Sequence, residues 1–308
     1  MASAGSHDTY YVPEQTKLPF FASIGLFLTV YGLGSVLNDV KSSESATFST
    51  MISLAGFMLL SFILFQWFST VIRENHAGMN SDQLKRSYVW GMAWFIFSEV
   101  MFFAAFFGAL FYVRTFSVPW IGGEGDKGIT GDILWPEFEA AWPLIVNPDS
   151  SLFSNPHEGM SVSEWSLSFF AKYLPFWNTV ILITSSVTVH FAHTALKAEN
   201  RKGLIQWMFV SVALGVLFLF LQGFEYVEAY GHYGITLDSG IYGSTFFLLT
   251  GFHGFHVTLG TFMLAIMLVR SIKGHFKPDD HFGFEAASWY WHFVDVVWVG
   301  LFIFVYLF

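Results

Sequence analysis

LIQWMFVSVALGVLFLFLQGFEYVEAY (204–230) decides the architecture. From Leu204 to Phe224 it carries no charged side chain. A bilayer hydrocarbon core is about 30 Å thick, and a helix of about 20 apolar residues crosses it. Backbone N–H and C=O groups find no water there, so a run of this kind must be helical. The same reading predicts helices over Leu18–Leu37, Phe48–Ile72, Tyr88–Val113, Leu174–Leu196, Tyr242–Val269 and Ala286–Phe308. Composition agrees: 54% of the residues are hydrophobic and 12% charged, against roughly 25% charged in a soluble domain. The expected fold class is all-α, a polytopic membrane protein with seven transmembrane helices.

The formal net charge of −9 argues against nucleic acid as a partner. With no Cys in the chain, disulfides, thiolate metal sites and a Cys nucleophile are excluded. Residues 1–17 are polar and include Asp8 and Glu14, unlike a cleavable signal sequence. No phosphate-binding glycine loop, serine-hydrolase elbow or HExxH motif is present, and no catalytic residue is assigned.

Basic residues order the segments. With the N-terminus taken as inside, Lys17, Arg73, Lys85, Arg86, Lys197, Arg201, Lys202, Arg270, Lys273 and Lys277 lie inside, and Lys41, Arg114, Lys127 and Lys172 outside. By the positive-inside rule the N-terminus faces the cytoplasm and the C-terminus the opposite side. The expected organisation is a tail (1–17), a two-helix unit (18–72), a cytoplasmic loop with the third helix (73–113), a long outside segment (114–173) and a four-helix unit (174–308). The outside segment carries eight of the 23 acidic residues. It reads as a solvated loop or as a docking face for a basic partner.

Ionisable side chains inside a membrane cost several kcal/mol when charged and usually mark a function or a buried pair. Glu99, in FIFSEVMFF (95–103), falls near the bilayer centre. It reads either as a proton-exchanging or lipid-contacting carboxyl, or as an acid hydrogen-bonded to Ser98 or a neighbouring helix. His253 and His256 share a helix face and are expected to bond to lipid or another helix; metal or haem ligation would need ligands from other helices. His190 and His193 read as interface anchors beside Lys197. Glu225 and Glu228 read as a solvent-accessible acidic pair, with a helix–helix contact as the alternative. His292 and Asp295 read as a structural pair within hydrogen-bonding reach, preceded by an interfacial belt of Trp289, Tyr290 and Trp291. Arg73, Glu74, Arg270, Lys273 and His275 gather at the inside surface, where cations suit phospholipid phosphates. Ordinary positive-inside charge explains them equally well.

YGSTFFLLTGFHGFHV (242–257), then HFGFEAASWYWHFVDVVW (281–298), with VIRE (71–74), FIFSEVMFF (95–103) and EYVEA (225–229) upstream in order, resembles the cytochrome c oxidase subunit III family of haem–copper oxidases. The resemblance runs from about residue 18 to the end. It implies a 2 + 5 arrangement of helices around a cleft that holds phospholipids. It implies no haem, copper or other metal in this chain, those groups residing in partner subunits I and II, with cytochrome c as the complex's electron donor. The implied role is an accessory subunit that supports proton uptake, binds lipid and protects subunit I in a proton-pumping oxidase reducing dioxygen to water. Glu99 matches the family's carbodiimide-reactive carboxyl. Glu74, His253, His256, Arg270, Lys273 and His275 match positions near its lipid sites. Segment 114–173 is longer than in the mitochondrial form, which points to a bacterial inner membrane rather than a mitochondrial one, and His190 matches no family histidine. The competing reading is a seven-helix proton-coupled transporter using Glu99 and the paired histidines.

Overall fold

The computed structural model describes residues 16–308; most of the tail assigned to 1–17 lies outside the described residues. Seven long helices account for the seven apolar runs: α1 (Leu18–Lys41), α2 (Thr47–His76), α3 (Asp82–Tyr112), α4 (Leu174–Lys197), α5 (Arg201–Gly231), α6 (Gly240–Lys273) and α7 (Phe282–Leu301). Each is long and apolar enough to cross a bilayer, and the chain is a multi-pass membrane protein. No β-strand occurs among the described residues. Proline in the first turn starts α1 and α4, where its missing N–H costs nothing. The Asn200 side chain starts α5 by accepting the Gly203 amide at 3.0 Å.

Two compact units emerge, Met1–Tyr88 and Val89–Phe308, so the division falls inside α3. In the first, α1 and α2 form a hairpin with backbones in direct contact. A Cβ on Gly32 would lie 2.5 Å from the Ser53 amide nitrogen, and one on Gly56 would lie 2.5 Å from that of Thr29. Small residues allow this approach, which supplies the packing that drives helix association where lipid is as apolar as leucine. The Ser53 hydroxyl donates to the Thr29 carbonyl at 3.3 Å across the seam, and the Ser49 hydroxyl donates to Asp39.

In the second unit α7 is central. It packs against α4 and α6, and α5 closes against both of those. Of its most apolar stretch 61% is buried, against 11% for α3. The difference comes from how α3 attaches. Its phenylalanines reach the bundle ring to ring: Phe102 meets Phe252 at 5.0 Å, Phe103 meets Phe293 at 6.1 Å and Phe107 meets Phe304 at 6.0 Å. Trp291 of α7 fills the centre. A Cβ on Gly260 would come within 2.8 Å of its ring, and its indole N–H donates to Ser185 at 3.0 Å. The aromatic belt expected over Trp289–Trp291 therefore reduces to Trp289: Tyr290 and Trp291 are enclosed, while Trp289 is 37% exposed.

Segment 114–173 is the largest departure from expectation. α3 does not stop at Val113 but continues through a π-type turn, Val113–Ser117, to Ile121. The remainder of the segment keeps seven of its eight acidic residues exposed, but several of its backbone groups are fixed to the second unit. The Met160 amide donates to the Tyr242 hydroxyl at 2.9 Å, and the Tyr173 hydroxyl donates to the Met160 carbonyl at 2.7 Å. The Val162 amide reaches the Tyr306 carbonyl at 2.8 Å, and the His157 amide that of Tyr233 at 2.8 Å. Leu144 and Met160 join the core. Ser151 donates to Asp149 from both amide and hydroxyl, which holds that carboxyl below the usual aspartate range.

Adding a branched side chain at Gly56 is expected to separate α1 from α2. Gly56→Leu should cost about 1–3 kcal/mol in the assembled protein, read as a lower melting temperature in detergent. Gly34→Ala, which meets nothing within 4 Å, is the control. Equal melting of both variants and the parent would contradict the close backbone contact.

Candidate functional site

Mid-membrane, α3 and α6 bring together two residues 157 positions apart. His256 Nε2 lies 2.9 Å from Glu99 Oε2. His256 Nδ1 lies 2.6 Å from the Phe252 carbonyl, which only accepts, so Nδ1 carries a proton. Nε2 of a neutral His256 is then a lone pair. The short contact requires one further proton between the two groups, either on Glu99 as the donor or on His256 beside a carboxylate. The pair therefore holds one shared proton. Its wall is aromatic: Phe103 is 5.0 Å from the imidazole, and Tyr290 stacks on it at 6.3 Å.

His253, one turn earlier, has a different fate. It is 0% exposed, donates from Nε2 to the Val294 carbonyl of α7 at 3.2 Å, and lies 5.0 Å from Trp298. Of the two readings of His253, lipid or another helix, the hydrogen bond runs to another helix. His292 and Asp295 approach to 3.7 Å, an ion-pair distance, and the imidazole also meets the Ser186 hydroxyl at 2.6 Å. Both Asp295 oxygens are enclosed.

Glu225 is not solvent-accessible. It is 0% exposed, the Tyr306 hydroxyl donates to it, and the Asn178 amide donates at 3.4 Å. This tie among α4, α5 and the π-type turn after α7 was the alternative reading of the sequence. Its partners lie 47 and 81 residues away, beyond any local spacing. Near the end of α6 the Arg270 guanidinium sits over the Phe276 ring at 4.5 Å. Lys273 ends α6 and His275 comes just after it, while Glu74 lies near the end of α2 in the first unit. His190 is exposed on α4. His193 meets His281 and Glu285 of α7, a grouping that sequence spacing did not reveal.

Fold and site together define a polytopic helical membrane protein whose buried polar side chains bond chiefly to neighbouring helices. A family model for cytochrome c oxidase subunit III matches residues 8–123 and 149–308. Cytochrome c oxidase subunit 3 of Dugong dugon is 38% identical over 259 residues, covering 84% of each chain. That of Hippopotamus amphibius is 38% identical over 261 residues, 84% of this chain and 85% of the relative. That of Drosophila melanogaster is 34% identical over 307 residues, 99% of this chain and 98% of the relative. The chain belongs to the cytochrome c oxidase subunit III family, and its role is that of an accessory membrane subunit of the respiratory oxidase. This membership gives the transporter reading no support. Residues 124–148 lie outside the family match.

Removing the donor at Glu225 tests the buried tie. Tyr306→Phe leaves an enclosed carboxyl without that partner and should destabilise the protein by about 1–3 kcal/mol. Thermal unfolding of the assembled protein checks this; an unchanged melting temperature would show that the bond contributes nothing.

Proposed function

We propose that this chain is the non-redox accessory subunit of a proton-pumping terminal oxidase that takes electrons from cytochrome c, with haem and copper held by partner subunits I and II. The observation that supports it most is the Glu99–His256 pair, which holds one shared proton at mid-depth. In this reading Glu99 is a proton-holding carboxyl that supports proton uptake by subunit I rather than a catalytic group. Glu74 in the first unit, and Arg270, Lys273 and His275 in the second, each meet phospholipid headgroups at the cytoplasmic face, with the apolar surface beside His256 meeting acyl chains. The charge order of the segments supports a cytoplasmic N-terminus and a periplasmic C-terminus. The long 114–173 segment supports a bacterial inner membrane.

Glu99→Gln is expected to leave assembly and initial oxygen consumption near the parental level while slowing proton uptake in stopped-flow measurements. Loss of haem reduction in that variant would refute the accessory role. Neutralising Arg270 and Lys273 together should lower anionic phospholipid retained by the purified complex, measured by mass spectrometry, and hasten inactivation during turnover. Unchanged lipid content would count against the headgroup assignment.

A further inference from the structure

Residues 124–148, which the family match leaves out, are built into the protein on one side only. On that side Lys127 Nζ lies over the Trp120 ring at 4.5 Å, and Phe138 and Trp142 pack on the core. A Cβ on Gly128 or Gly131 would collide with the carbonyls of Gly123 and Ile121. The other side is presented outward. The short helix Ile129–Leu134 turns Gly131 inward and its aliphatic residues away from the protein: Ile129 is 68% exposed, Ile133 71% and Leu134 60%. Ile129 and Ile133 stand four residues apart and share one helix face. Flanking them in the chain, Glu124, Asp126, Asp132, Glu137 and Glu139 are all exposed. We propose that this face docks a soluble electron-donor cytochrome c through a basic surface of that donor.

The direction of the isoleucines carries the assignment. A helix packed for its own stability buries its aliphatic side chains and shows its small residues to water; this one does the reverse. Each aliphatic side chain left in water forgoes about 1.5–3 kcal/mol of burial, which a covering surface recovers. The carboxylates decide what covers them. A lipid surface does not fit, because charged carboxylates drawn into a bilayer cost several kcal/mol each. A second copy would set the same charges against themselves. A basic protein suits both parts. An apolar centre inside a charged rim is the anatomy of a protein interface, and a field of one sign steers in a partner of the other, less so as salt rises. The face lies beyond the end of α3 that the charge order places outside, where a soluble donor has access. Three exposed aliphatic side chains make a small patch, in the class below about 1,200 Å² that serves transient redox encounters rather than permanent subunits.

The proposal rests on the reading that the oxidase takes electrons from cytochrome c. Docking at this face raises the donor's local concentration and leaves the electron's route to other subunits, so its signature falls in KM and not in kcat.

The test uses the intact oxidase complex with a basic cytochrome c as donor. Ile129→Ser combined with Ile133→Ser should raise KM about 10-fold at low ionic strength and leave kcat unchanged. Glu124→Gln, Asp126→Asn and Glu137→Gln together should do the same, and both differences should vanish at high salt. A donor with acetylated lysines should not distinguish parent from variants. A photoreactive benzophenone side chain placed at Ile133 reports the occupant directly: at low salt, illumination should join it to added cytochrome c, identified by mass spectrometry. Equal KM in parent and both variants, or adducts only to phospholipid, to another subunit or to a second copy of this chain, would overturn the proposal. A complex that oxidises no cytochrome c refutes the underlying reading as well; one that oxidises it with unaltered KM and no adduct refutes the docking face alone.

Discussion

In a medium without water, a polar side chain must find its partner on another helix. That constraint organises the second unit. α3 is tied to α6 by Glu99 and His256, and α6 to α7 by His253 and the Val294 carbonyl. α7 is tied to α4 by Trp291 to Ser185 at 3.0 Å, by Trp298 to Thr179 at 2.9 Å and by His292 to Ser186 at 2.6 Å. Thr188 meets Ser211 at 2.7 Å between α4 and α5, and Tyr226 meets Thr250 at 2.8 Å between α5 and α6. Each bond contributes well under about 2 kcal/mol in a membrane, because the separated helices find other partners. Their value lies in register: each pair can form only at one axial offset of its two helices.

The two units reach cohesion by different routes. α1 and α2 rely on the close approach of backbones at glycine and serine, with few polar links. The second unit combines large aromatic volumes with polar bonds between its paired helices. α3 shows what bulk does: with phenylalanine at its contact positions it reaches the bundle through ring edges, so only 11% of its most apolar stretch is buried. A polar tie at Glu99 adds to these ring contacts, whereas α7 is enclosed on several sides.

Architecture was legible in the sequence because hydrocarbon thickness imposes one length on every span. All seven runs became helices, most of them longer than the apolar stretch itself. α2 runs to His76 and α6 to Lys273 because a helix continues past the hydrocarbon until water can take over its hydrogen bonds. Polar partners were poorly legible, since spacing along a helix says which residues share a face but not what lies opposite. His292 and Asp295 share a face and come within 3.7 Å, yet the shorter contact of His292 is to Ser186, 106 residues away. Glu225 sits near a span end and reads as wet, yet segment 114–173 folds over that end of the bundle. That segment misled for a related reason: its backbone is held by Tyr233, Tyr242 and Tyr306 at distant positions, which no local periodicity reports.

The Glu99–His256 pair shows how such a tie differs from a purely structural one. His253 has given its Nε2 proton to a carbonyl, and no rearrangement of that bond changes its charge. His256 instead faces a group that can itself hold a proton, so the proton between them can rest on either side. The His256 side chain is 9% exposed and that of Glu99 is 22% exposed. The carboxyl is thus the more open member of the pair, at the edge of its own bundle, while the imidazole is fixed from behind by the Phe252 carbonyl.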